Sequence, residues 1–96
     1  MTISRFHLGI VGGGSAAFAA ATRANDLGVS TALVNEGPIG GTCVNVGCIP
    51  SKHLLALGDA IYYPERPSFG SLRRNRVRFD FAGAIREKDE VVEELR

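Results

Sequence analysis

The run Gly12-Gly13-Gly14 limits what this chain can fold into more than any other feature. Residues 6–11 (FHLGIV) precede it, a short and mostly apolar stretch. Such a run suits a strand buried in a parallel sheet. From Ser15 to about Leu27 the chain is Ala-rich and free of Pro and Gly, which reads as a helix. Gly28 is a natural helix stop. Ser30 to Val34 (STALV) reads as a second strand. Strand, glycine turn, helix and strand make a βαβ unit over residues 6–35, whose crossover should be right-handed.

The turn itself has the form Gly12-x-Gly14-x-x-Ala17. Gly12 permits a tight turn, Gly14 lets the backbone approach a pyrophosphate, and a small residue at 17 lets helix and strand pack closely. The amides of Ser15, Ala16 and Ala17 then point at the phosphates, aided by the helix dipole. Glu36 follows 24 residues after Gly12, a spacing that fits a ribose-binding carboxylate at the end of the second strand. Asn35 is its immediate rival. The expected fold class is α/β: a Rossmann-type βαβ unit, the N-terminal part of a doubly wound parallel sheet.

With 96 residues the chain holds one domain at most and is too short for a self-contained two-substrate enzyme. Two parallel strands do not make a stable sheet. Nothing after Val34 reads as a strong third strand. The expectation is therefore a partial domain, the N-terminal piece of a longer protein or a truncated product, poorly folded alone. A net charge of +1 gives no reason to expect nucleic acid or an anionic membrane as partner. No apolar run reaches the ~18–20 residues that span a bilayer. Arg5 and Ala19-Ala20-Ala21 imitate a signal peptide, but the glycines interrupt its would-be apolar core. With only two cysteines the chain does not look like a secreted disulfide scaffold, and a cytoplasmic setting is expected.

Residues 36–50 are rich in Gly and Pro and read as a functional loop. Ser51 to Tyr63 reads as a helix, with Leu54, Leu55, Leu57, Ala60 and Ile61 forming an apolar side and Pro64 and Pro67 ending it. The loop and this helix form a second segment, 37–63. Residues 64–79 read as an exposed connector, and Arg73, Arg74, Arg76 and Arg78 as a solvated basic run. Asp80 can cap a last helix over 80–96, in which Phe81, Ile85, Val92 and Leu95 recur near the helical period.

The segment 40–52, GGTCVNVGCIPSK, carries the chemistry. Cys43 and Cys48 are close enough in sequence to close a small ring. A ring that short removes little chain entropy and is a poor staple, so it makes better sense as a reversible electron store. Cys48 precedes a helix start, with Pro50 tolerated in the first turn. A helix N-terminus and Lys52 both lower a thiol pKa and favour the thiolate, the species that attacks disulfides and binds soft metals. A zinc site would need Cys43, Cys48, His53 and, from inside a strand, His7; its spacing is wider than structural zinc usually uses. His7 is expected to be an ordinary strand residue, and His53 a helix residue near the loop.

The glycine fingerprint followed by GGTCVNVGCIPSK resembles the flavin-dependent pyridine nucleotide-disulfide oxidoreductases, over about residues 6–63. Within that family it looks most like the mercuric reductase branch, on Ala17 and on Val44. The dihydrolipoamide dehydrogenase branch typically has Gly and Leu there. The resemblance implies that the turn 12–17 holds FAD and that Gly37, Gly41 and Thr42 line the flavin's path. It implies Cys48 as the thiol against the flavin ring, Cys43 as the interchange thiol that meets substrate, and Lys52 near the flavin N5. It further implies a small-molecule or metal-ion substrate, Hg(II) held transiently by Cys43 and Cys48. NAD(P)H would be a co-substrate at a site outside these residues, and the whole protein a homodimer. One departure stands out. The family usually has Glu where this chain has Asn35, with the acid displaced to Glu36.

Overall fold

The computed structural model describes all 96 residues. In chain order the elements are β1 (Leu8–Val11), α1 (Ser15–Asp26), β2 (Thr31–Val34), α2 (Gly41–Asn45), α3 (Cys48–Glu65) and α4 (Phe81–Glu94). β1 and β2 pair in parallel, with Leu8 opposite Thr31 and Val11 opposite Val34. A parallel pair needs a crossover, and α1 supplies it. Ala17 and Ala24, two turns apart on one face of α1, are buried. Small side chains there let the helix lie close on the strands, as the fingerprint requires.

The second half is a helical hairpin. α4 runs back along α3 until Arg96 reaches Asn45 at the end of α2. The connector is tied to the far end of α3 by Asn75 N–H to the Pro64 carbonyl (2.9 Å) and by Val77 N–H to Glu65 Oε1 (3.3 Å). Beyond α2 the hairpin has little packing against the βαβ unit. The chain is therefore elongated, 70 × 27 × 15 Å, with a radius of gyration of 20.8 Å. A compact domain of about 100 residues has roughly 13 Å. Only 6 of the 96 residues are buried and no side chain is completely enclosed. No helix is long and apolar enough to cross a membrane.

Several boundaries differ from the sequence reading. α3 begins at Cys48 rather than Ser51, because Gly47 takes the cap position. Pro50 then stands third in the helix, where its missing N–H has no intrahelical acceptor in any case. At the other end α3 runs one residue past Pro64. The loop 36–50 contains α2, which composition hides because Gly, Thr, Val and Asn are weak helix formers. Asp80 takes the cap position of α4 but caps nothing with its side chain. It faces Arg86 instead, at 3.6 Å. On α4 the buried residues are Ala84 and Val92, while Phe81 and Leu95 are 67% and 52% exposed. His7 falls just outside β1, its ring nitrogen 2.6 Å from Ser30 Oγ.

Candidate active site

The site begins with backbone geometry. Gly12 has φ +125°, which a side chain would strain. Gly14, extended at φ −90° and ψ −169°, takes the cap position of α1. No side chain caps that helix end and its first turn carries no acid. The first-turn N–H groups of Ser15, Ala16 and Ala17 lack intrahelical acceptors, as in any α-helix. They form a cationic helix end of the kind that binds phosphate.

The cysteine segment is sewn onto this turn. Gly40 N–H donates to the Gly13 carbonyl at 2.8 Å. Gly41 has φ +67°, and a Cβ there would stand 2.7 Å from Gly14 Cα. Only glycine lets these two backbones meet. Gly47 plays a similar part between the cysteines, since a Cβ there would meet the Thr42 carbonyl oxygen at 2.9 Å and Cys43 Cα at 3.3 Å. Sequence reasoning left out Gly13, Gly40 and Gly47 as site residues. Their signal was the doubled and tripled glycines and the lone glycine between two thiols.

Cys43, in α2, and Cys48, the first residue of α3, are both exposed and both free thiols. They lie close enough for the Cys48 side chain to hydrogen-bond with Cys43. That bond raises the Cys43 pKa above the ordinary thiol value, with partial desolvation and the charge of Cys48 acting in the same direction. The Cys48 backbone N–H and the Lys52 ammonium pull the other way and are outweighed. At Cys43 the neighbouring thiol decides the sign. An adjacent thiol pair is suited to taking up and giving back two electrons as a dithiol and disulfide.

The other expected residues separate. Asn35 folds inward: its Nδ2 donates to the carbonyls of Gly37 (3.0 Å) and Pro38 (3.3 Å). Its side chain occupies the space beside Gly13. Glu36, two residues past β2, is exposed. Gly37 and Thr42 are exposed near the turn, and Lys52 lies on the first turns of α3. His53 joins no metal cluster, since no three His, Cys, Asp or Glu side chains converge anywhere. The larger of two cavities, about 360 Å³, lies between the start of α3 and α4, and touches neither cysteine nor the glycine turn. An open turn on a two-stranded sheet has no far wall, so it forms no cavity of its own.

The residues present fit a dinucleotide. The dihedrals of Gly14 are open to any residue, and a Cβ there would meet Gly41 Cα at an ordinary 3.8 Å. The protein itself gives no reason for glycine at this point, whereas a pyrophosphate lying over the turn does.

A strand–glycine turn–helix unit stitched to an adjacent thiol pair defines a dinucleotide-linked disulfide oxidoreductase. The model of the pyridine nucleotide-disulphide oxidoreductase family matches residues 6–95, and the chain belongs to that family. It is 41% identical over 91 residues to a mercuric reductase of Lysinibacillus sphaericus, covering 95% of this chain and 17% of that protein. It is likewise 41% identical over 90 residues to a dihydrolipoyl dehydrogenase of Pseudomonas aeruginosa, covering 90% of this chain and 19% of that one. Among solved structures it resembles the HOCl-induced flavoprotein disulfide reductase RclA of Escherichia coli, seen as a Cu(II) complex. The TM-score is 0.74 at 29% identity, over 97% of this chain and 18% of that one. The chain thus spans under a fifth of the length of these relatives.

Proposed function

We propose that residues 1–96 are the FAD-binding and redox-disulfide segment of a flavoprotein that reduces Hg(II) to Hg(0) at the expense of NAD(P)H. The observation that carries this reading is the thiol pair Cys43–Cys48, held against the glycine turn through the Gly14–Gly41 contact. Gly12, Gly14, Ser15, Ala16 and Ala17 would hold the pyrophosphate, and Glu36 would take the ribose in place of the inward-turned Asn35. Gly37, Gly41 and Thr42 would border the path to the cysteines, with Lys52 near the reactive ring. FAD, when bound, supplies a two-electron relay between the nicotinamide and the sulfurs.

Two electrons and two protons convert the Cys43–Cys48 disulfide to two thiols. As thiolates these suit Hg(II), because sulfur and mercury are both soft and polarisable. In the net reaction NAD(P)H gives up a hydride, Hg(II) takes its two electrons and leaves as Hg(0), and one proton remains. Support for mercury over a disulfide acceptor comes from Ala17 and Val44. Further support comes from mercuric reductases of four bacteria at 39–44% identity. The 41% identity to a dihydrolipoyl dehydrogenase favours the second reading, a reductase of a small disulfide.

The nicotinamide site and a dimer partner would lie outside these residues, in a cytoplasmic protein, and the 96 residues alone are expected to turn nothing over. Steady-state assays of the protein carrying this segment, with Hg(II) against lipoamide, test the reading. Hg(II)-dependent NADPH oxidation lost in both C43S and C48S supports it. Turnover of lipoamide alone selects the second reading, and a protein that purifies without a flavin spectrum removes both.

A further inference from the structure

We propose that Asn45, oriented by Arg96, is the residue that positions the cysteine pair. Asn45 is half-buried at the end of α2, between the two cysteines. Its Nδ2 donates to the Gly41 carbonyl at 2.9 Å and to the Ile39 carbonyl at 3.1 Å. Its Oδ1 accepts from Arg96 Nε at 2.7 Å. Both amide hydrogens and the amide oxygen are thereby engaged.

The carbonyls of Ile39 and Gly41 flank Gly40, which is buried and left-handed at φ +112°. Gly40 and Gly41 form the seam to the glycine turn. One amide therefore holds the seam and the start of α2, the helix that carries Cys43. α2 has only five residues, too few to be stable from backbone bonds alone. Without the amide nothing else in α2 fixes its first turn through a side chain.

Arg96 supplies the direction. A guanidinium only donates, so it must face Oδ1, and the NH2 end is then turned towards the two carbonyls. Arg96 itself pairs with Glu93 on the last turn of α4. The end of the hairpin thus reaches the redox loop through a single hydrogen bond. This role rests on the redox reading of the pair, but it concerns thiol–disulfide chemistry alone and needs neither FAD nor mercury.

The test equilibrates the protein carrying this segment in glutathione buffers, reading the Cys43–Cys48 peptide after digestion. Cys43 and Cys48 lose two electrons and two protons to one oxidised glutathione, giving one disulfide and two reduced glutathiones. Acid quenching and mass spectrometry give the equilibrium constant, with the same chain in concentrated guanidinium chloride as reference. The wild type should form the disulfide roughly tenfold more readily folded than denatured, about 30 mV for two electrons.

In N45D the shape is kept and the partner of Arg96 is strengthened, but both amide donors are lost and a carboxylate faces two carbonyls. N45D should fall to the denatured value, R96A part of the way, and R96K should stay near wild type. Helical circular dichroism is recorded for each. R96A alters an exposed side chain, so it reads positioning even where N45D loses structure. If N45D keeps the wild-type constant, or R96A is unaffected, the positioning role is overturned. If the wild type itself gains nothing over the denatured chain, the redox reading of the pair fails with it.

Discussion

The βαβ unit with its cysteine seam and the α3–α4 hairpin both bury little, yet they are specified in different ways. In the first, backbone meets backbone: Gly40 bonds Gly13, and Gly41 rests on Gly14. Glycine is required at 40 and 41, where a Cβ would stand 2.8 Å from Val44 Cβ and 2.7 Å from Gly14 Cα. In the second, side chains meet loosely, Ala84 and Val92 are the buried residues, and Leu55, Tyr63, Phe69 and Phe81 stand in solvent. The site is thus fixed by local geometry that the chain carries within itself. The hairpin leaves these apolar side chains uncovered.

The largest expected break in this contrast comes from Gly41. In G41A a Cβ 2.7 Å from Gly14 Cα meets backbone that cannot swing aside, at a φ that itself costs about 1–2 kcal/mol. FAD affinity, followed by quenching of flavin fluorescence, should fall roughly a hundredfold or more, the equivalent of about 2.8 kcal/mol. Undiminished binding would mean that the seam is not part of the cofactor site.

Cys43 offers a second break. Its raised pKa means less thiolate at neutral pH than an ordinary cysteine has, so iodoacetamide should modify it slowly, and faster as pH rises. In C48A the hydrogen bond that raises the pKa is gone, and site-resolved alkylation at neutral pH should speed up. In K52M a weaker pull is lost, and the rate should fall slightly. A C48A chain no faster than wild type would show that the two thiols are not in contact.

Gly58 sharpens the comparison from the other side. It lies inside α3, and a Cβ there meets nothing within 4 Å. G58A should stabilise the hairpin by about 1 kcal/mol in chemical denaturation followed by circular dichroism, leaving FAD binding alone. The same substitution thus harms one half and helps the other, because one glycine touches backbone and the other touches water.

Much of the first region was legible in the residues. Gly12, Gly14 and Ala17 announced a strand–turn–helix unit because the turn demands a conformation or closeness that few residue types allow. Gly28, at φ +68° just past α1, was readable for the same reason. The hairpin was read less well. Phe81 and Leu95 sit at helical spacing, but spacing shows only which residues share a face, not whether anything packs there. α2 was missed because Gly, Thr, Val and Asn are weak helix formers, while the Asn45 amide bonds the carbonyls of Ile39 and Gly41.

What the sequence determined by itself is the class of chemistry: a phosphate-binding turn and two thiols within reach of each other, written in glycines and cysteines whose local geometry has few solutions. Only the tertiary structure decided which groups share that chemistry. It turned Asn35 inward and left Glu36 outside, set the Cys48 thiol against Cys43 with more weight than Lys52, and brought Arg96 across the chain to Asn45. These pairings join residues by fold rather than by spacing, and a hydrogen bond spanning 51 positions leaves no trace in either neighbourhood.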